Sequence, residues 1–396
     1  MSSMGWMPRF MCDQFSRSLL VVAIPVRDEA EKIGVCLLAL AGQMGAAVDH
    51  VVLLLNNCTD RTRSVVAGLA SSLPFGLTVV ERTYPPELAH AGSARREALA
   101  VAAEIAGPAG FLFTTDADGC VAPDWLARNL EAFAAGAAAV CGRAVIDPVE
   151  ARAIPACLHE DDAAEVAYGT LLDQIHDLVD PDPADPWPRH TEHSGASIAV
   201  SVAAWKRAGG VPALPLGEDR GFIAALRQVD LPLRHAPDVL VTVSGRTTGR
   251  ARGGMAETIA RRIRCQDEML DDALEPAVVC LRRAQARVWL KSLMGAAGWT
   301  EETTDSLRGL AAFLVLPFED VMVQTEAHFC GRAWSVLERM SPVLRRQMVR
   351  RCDLGWQRAQ AEAIVRDLIV RERVLPLVTH CPPEAGNRVS VGEMVR

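Results

Sequence analysis

The sequence predicts an α/β protein built on a mostly parallel, twisted sheet flanked by helices, with a helical C-terminal extension. Three observations predict it. Short apolar runs rich in β-branched residues recur up to Thr114, segments of helical spacing alternate with them, and beyond Gly254 the strand signals give way to helical ones. The chain has 396 residues, more than the roughly 250 to 300 at which a single core stops growing. We therefore expect a tail over 1–18, a main domain over 19–255, a helical region over 256–380 and a flexible tail over 381–396.

Leu19 to Pro25 (LLVVAIP) is a continuous apolar run, the pattern of a strand buried on both faces. Ile33, Cys36, Leu37, Leu40 and Ala41 then recur at helical spacing. Val51 to Leu55 is a second apolar run and ends in the polar loop NNCTDRT. The cycle repeats as a helix over Thr62 to Leu73, a strand over Leu77 to Glu81, a helix over Ser93 to Ile105 and a strand over Gly110 to Thr114. Such alternation implies a doubly wound parallel sheet with right-handed crossovers. Ligands of such sheets sit beyond the carboxyl ends of the strands, so the polar groups after Pro25, Leu55 and Thr115 should converge.

From Asp147 to His193 the regularity weakens, through HEDDAAE and the proline-rich DLVDPDPADPWPRH, which reads as a long loop over the site that faces an acceptor. A late strand is expected over Val239 to Val243. Further on, Leu344, Met348, Cys352, Trp356, Ala359, Ala363 and Ile364 form one apolar stripe, with Arg345, Arg346, Arg350 and Arg351 largely elsewhere. Such a helix either docks on the main domain with a solvated arginine face or touches a membrane surface as a peripheral contact.

Half the residues are hydrophobic and 23% charged, so a large buried core is available. The net charge of −8 argues against a general nucleic-acid binder. Eleven scattered cysteines without a C-x-x-C pair make poor material for a disulfide framework or a structural zinc site, and fit a cytoplasmic location. No uncharged apolar run approaches the roughly 18 residues that span a bilayer.

The chemistry concentrates in TTDADGC. Asp116 and Asp118 are two carboxylates spaced by one residue at the end of a buried strand. That placement is costly unless a hard cation with oxygen ligands neutralises them. Mg²⁺ or Mn²⁺ bridging a diphosphate would complete the shell and stabilise a departing nucleotide diphosphate.

IPVRDEAEKI, NNCTDRT, HAGSARREAL, FTTDADG, SGASIAV, AGG and GEDRGFIAAL occur in an order and spacing that resembles the family 2 glycosyltransferases of GT-A fold, over about residues 19–250. The resemblance implies a nucleotide-diphosphate sugar donor, a D-x-D motif and a divalent cation. Pro25, Arg27 and Glu29 would line the base and ribose pocket, with Asn56 and Asp60 closing its other side. Asp116 would reach the ribose or the metal, with Ala117 beside it, and Asp118 would bind the metal directly. Arg95 is placed like the basic residue that precedes the helix lining the diphosphate pocket, or else is an ordinary surface arginine. Glu218 and Asp219 match the family's acid pair, in which the aspartate serves as general base in an inverting transfer to a hydroxyl. They also read as an acid pair favoured by a helix N-terminus.

Two features depart from the family pattern. LLLNN stands where many relatives carry an acid, which leaves the base open, and the third metal ligand is not evident, with His193 and His235 candidates by position alone. The arginine-rich SGRTTGRARGG suits a loop closing over phosphates, with Arg246 and Arg250 contacting a diphosphate or an anionic acceptor. The leading expectation is a metal-dependent inverting glycosyltransferase acting on a hydroxyl of a small or lipid-linked acceptor. A non-catalytic scaffold and a sugar nucleotidyltransferase are the alternatives. The last needs a glycine-rich basic loop after the first strand, where IPVRDEAEKI has none.

Overall fold

The computed structural model describes residues 18–250, 253–296 and 298–378. The expected tail over 381–396, and that over 1–18 apart from Ser18, lie outside the described residues. The first half alternates as the apolar runs predict: β1 (Leu20–Val26), α1 (Ile33–Ala41), β2 (His50–Asn56), α2 (Thr62–Leu69), β3 (Gly76–Arg82), α3 (Ala91–Ala106) and β4 (Phe111–Thr114). β5 (Cys120–Val121), α4 (Trp125–Ala134), β6 (Ala139–Ile146), α5 (Ala156–Val179), β7 (Ile198–Ser201), α6 (Val202–Arg207), α7 (Glu218–Gln228) and β8 (Leu233–Val243) follow.

The eight strands form one sheet in the order β3-β2-β1-β4-β7-β6-β8-β5. β3, β2, β1 and β4 pair in parallel, and Ala23 at the centre lies opposite both Val52 and Thr114. Beyond β4 the parallel expectation fails, because β7 is antiparallel to both β4 and β6, and β5 to β8, while β6 and β8 pair in parallel. The reason is the path between β6 and β7. It brings the chain back so that β7 starts from the end where β6 stopped.

Alternate side chains of β1 serve two cores, as a strand buried on both faces must. Val22, Ile24 and Val26 pack with Ile33, Leu37, Trp125 and Leu130 from α1 and α4. Val21 and Ala23 pack with Ala98, Leu99, Phe222 and Ile223 from α3 and α7. The sheet is thus the middle layer of three.

The C-terminal part holds α8 (Met255–Arg264), α9 (Ala277–Met294), α10 (Glu301–Leu314), α11 (Phe318–Thr325), α12 (Cys330–Met340) and α13 (Leu354–Val378). Two expectations are corrected here. The stretch 147–193 is not a loop over the site, since most of it is the 24-residue α5. Tyr168, Leu172 and Ile175 of α5 share a core with Leu274, Cys280, Ala361 and Val365 of the C-terminal part. The acidic HEDDAAE belongs to an amphipathic helix, with Glu160 and Asp162 exposed and Glu165 buried, so its charge does not mark a loop.

The apolar stripe from Leu344 also does not form one helix, because α13 begins at Leu354 and leaves Met348 and Trp356 exposed. Up to Arg371 its buried positions are Gln357, Ala361 and Val365, four residues apart. Arg351 is no solvated arginine, since it pairs with Glu165 at 2.8 Å and Asp161 at 3.1 Å on α5. The helical part docks on the turn between α7 and β8 through Asp230, whose carboxylate accepts from Cys330 N and Gly331 N at 2.7 Å each. Gly331 is required there, because a Cβ would lie 1.8 Å from the carbonyl oxygen of Arg227.

Candidate active site

The loops after β1, β2 and β3 and the N-terminus of α3 are tied together by side chains. Asp28, at φ 51°, accepts from Thr59 N at 2.7 Å and Asp60 N at 3.1 Å. Asn57, also at φ 51°, donates to Tyr84 O at 2.9 Å and accepts from Tyr84 N at 3.0 Å. Asn56 donates to the carbonyl of His90, the N-cap of α3, at 3.2 Å. Between these loops and the segments 194–196, 215–220, 243–250 and 253–257 lies a cleft of about 990 Å³. The predicted convergence at the strand ends holds. Pro25, Arg27, Glu29, Asn56, Arg95, Asp116, Ala117, Asp118, Glu218, Asp219, Arg246 and Arg250 all line the cleft.

Arg95 organises its floor. It lies within the second turn of α3 rather than ahead of the helix, and at 4% exposure it is no surface arginine. Its guanidinium donates to Thr114 Oγ1, Gly195 O and Asp116 Oδ1 at 2.7 Å each and to Glu218 Oε1 at 3.1 Å. Burial opposes its charge, but Asp116 and Glu218 outweigh that and hold the proton more tightly than usual. Gly195 makes room for it, since a Cβ there would stand 2.5 Å from Nη2.

Above the floor, Glu29, Asp116 and Asp118 gather negative charge. Burial, and then the Asp116 carboxylate, push the Asp118 carboxyl up to about 6, although Arg246 draws it down. Arg246 donates to both oxygens of Glu29, at 2.8 Å to Oε2, and lies 3.1 Å from Asp118 Oδ2. The loop carrying it is anchored by Glu150, which accepts from Ser244 Oγ at 2.6 Å and Gly245 N at 2.7 Å and pairs with Lys32. Farther along, Arg250 Nε donates to Asp28 O at 3.0 Å. The residues fit a hard divalent cation. An under-neutralised Asp118 faces the cleft beside two more carboxylates, all oxygen donors. Asn56 adds a buried Oδ1 without a hydrogen-bond partner, able to accept from a nucleotide N–H or O–H.

The structure separates the acid pair at the start of α7. Glu218 is 6% exposed and turned onto Arg95. Asp219 is half-buried, accepts from Gly195 N at 2.9 Å, and opens to the cleft. Gly217 ahead of them takes φ 71°, where glycine is unstrained.

Three expected site residues do different work. Asp60 accepts from Thr62 N at 2.9 Å and Ala30 N at 3.0 Å, so it ties the loop after β1 to the start of α2 instead of lining the cleft. His193 and His235 also lie off the cleft lining, with their Nε2 atoms 3.2 Å apart and His235 Nδ1 2.6 Å from Asp185. They form a buried hydrogen-bonded group and supply no ligand beside Asp118. The sequence reading missed His90, Thr114, Gly195 and Glu150. A polar residue ending a buried strand was the available signal for Thr114, and the SGASIAV segment for Gly195.

Residues 21–177, from β1 into α5, match the family model described as glycosyl transferase family 2. Among solved structures, the chain is similar to a mannosyltransferase from Pyrobaculum calidifontis in complex with GDP-Man and Mn²⁺, at 18% identity and TM-score 0.43 over 90% of this chain and 87% of that one. It is also similar to S. aureus TarS 1–349 in complex with UDP-GlcNAc, at 15% identity and TM-score 0.42 over 81% and 91% of the two chains. Glucosyl-3-phosphoglycerate synthase from Mycobacterium tuberculosis, with Mn²⁺ and UDP, matches at 13% identity and TM-score 0.39 over 67% and 84%. No curated protein sequence matches the chain at a significant level.

Proposed function

We propose that this chain, whose residues 21–177 match the glycosyl transferase family 2 model, transfers a sugar from a nucleotide-diphosphate donor to a hydroxyl acceptor with help from Mg²⁺ or Mn²⁺. The observation that carries the reading is the arrangement of Asp118 and Asp219 in one cleft, with Arg95 bridging Asp116 to Glu218 between them. In this reading residues 19–255 supply the catalytic unit, and the C-terminal helices buttress it.

Asn56 and Glu29 flank the nucleoside, with Asn56 Oδ1 free to accept from it. Asp118, with Asp116, would hold the cation, which would stabilise the charge of the departing diphosphate. Arg246, on the loop beside Asp118, would contact the phosphates, and Arg250 supports the same loop. Arg95 and Glu218 are positioning residues: their pair fixes the start of α7 and so aims Asp219. Asp219 takes the proton of the acceptor hydroxyl, opposite the leaving diphosphate, and the anomeric centre inverts. Among the described residues no helix is long and apolar enough to cross a membrane. The nine cysteines described are free, which supports a reducing, cytoplasmic setting.

The test is calorimetric titration with UDP, GDP, dTDP and CDP, each with and without Mn²⁺, repeated on Asp118→Ala. Metal-dependent binding of one nucleotide, abolished by the substitution, supports the transferase. If all four fail to bind, the transferase reading falls and a scaffold takes its place.

A further inference from the structure

A second group of ligand-type side chains lies between α5 and α9, away from the cleft. His176 belongs to the last turn of α5, Cys280 to the first turn of α9, and Glu275 to the segment leading into α9. Their candidate ligand atoms all lie within 4.8 Å of one another. None of the three lines the cleft. We propose that His176, Glu275 and Cys280 form a second metal site, for zinc or a cation of the same ligand preference, that fastens α5 to α9.

The donor chemistry is the first reason. Imidazole nitrogen, carboxylate oxygen and thiolate sulfur together suit a tetrahedral zinc ion, with water as the fourth ligand. Atoms this close need only small rotamer adjustments to surround one ion.

The second reason is what the three groups otherwise lack. Glu275 and Cys280 are 4% and 1% exposed. Among the described residues the Cys280 sulfur has one hydrogen bond, to Leu172 O at 3.5 Å, a weak contact that a thiolate would give up. Among the described residues no hydrogen bond reaches the ring of His176.

Glu275 is already gripped by Arg283, at 3.0 to 3.2 Å across both oxygens. Each carboxylate oxygen keeps a second lone pair, so the arginine acts as the outer partner that orients a ligating carboxylate. Arg283 is itself fixed by Leu344 O at 2.7 Å and by Glu338. Charge closes locally, because the ion's two positive charges meet the Cys280 thiolate and Glu275, while Glu338 answers Arg283. Binding releases the Cys280 proton to solvent.

The experiment uses the full chain, purified under reduction. Zinc content is read by plasma mass spectrometry, and the metal is then exchanged for Co²⁺ to record the thiolate-to-cobalt charge-transfer band in the near ultraviolet. Wild type and Asp118→Ala are expected to keep an equimolar amount of zinc and to show the band, which separates this site from the cleft. Cys280→Ser, confirmed as folded by circular dichroism, is expected to lose both. Absence of the band in the wild type overturns the proposal whatever the variants do, and so does a band that survives undiminished in Cys280→Ser.

Discussion

The guanidinium of Arg246 lies between Glu29 and Asp118, donating to both oxygens of the first and standing 3.1 Å from Oδ2 of the second. An internal cation thus occupies the place beside Asp118 that a divalent ion would need. In the proposed reading, loop and metal would compete for one carboxylate.

Arg246→Gln should therefore tighten Mn²⁺ binding in the absence of nucleotide, by roughly tenfold, or about 1.4 kcal/mol. Calorimetry with Mn²⁺ alone measures it. Unchanged or weaker binding would mean that Arg246 serves Glu29 only and does not contest Asp118.

Asp219→Asn keeps the size and the acceptor oxygen for Gly195 N but removes the base. The expected result is a fall in kcat of roughly 10²- to 10⁴-fold with nucleotide affinity unchanged. Loss of nucleotide affinity in parallel would instead place Asp219 in donor binding.

Arg95→Met leaves Asp116 and Glu218 without their shared partner inside the floor of the cleft. Breaking a buried pair from one side costs about 3 to 5 kcal/mol, and denaturant unfolding should show a loss of that size. A loss under about 1 kcal/mol, the value of an exposed pair, would contradict the buried bridge.

The anchor of the Arg246 loop should depend on pH. The Lys32 hydrogen bond, then that of Ser244, holds Glu150 down at about 2 against an ordinary 4.5. A depressed carboxyl stabilises the folded state above its unfolded value, and that contribution disappears as pH falls through 4.5 toward 2. The Glu150 hydrogen bond raises Lys32 above 10.5, so its contribution is present below that value and is lost at higher pH. Exchange of the Gly245 amide, corrected for its intrinsic rate, should show protection across the interval and loss at both ends. Glu150→Gln should weaken that protection at neutral pH. An equally protected amide in the variant would rule out the anchor.

Much of the fold was legible because its signals are local. Unbroken apolar runs and helical spacing reveal strands and helices within a few residues of themselves, which is why β1 to β4 and their helices fall where expected. The same locality explains why Asp116 and Asp118 could be assigned from the strand ahead of them, and why Glu218 and Asp219 could be placed at a helix start.

What the pattern could not state is which distant group each side chain meets. Arg246 and Glu29 are 217 residues apart, Arg95 and Glu218 are 123, and both pairs exist only because β1, α3, α7 and the loop after β8 end at one rim. For the same reason adjacent residues of like chemistry part company, with Glu218 buried against Arg95 and Asp219 open to the cleft. His176, Glu275 and Cys280 likewise become neighbours only through the packing of α5 on α9. The sequence by itself determined the elements and the chemical types at their ends, through short-range periodicity and steric preference. The tertiary structure decided the partners, because burial removes water and makes each charged group's state depend on whichever group the chain path brings within a few ångströms.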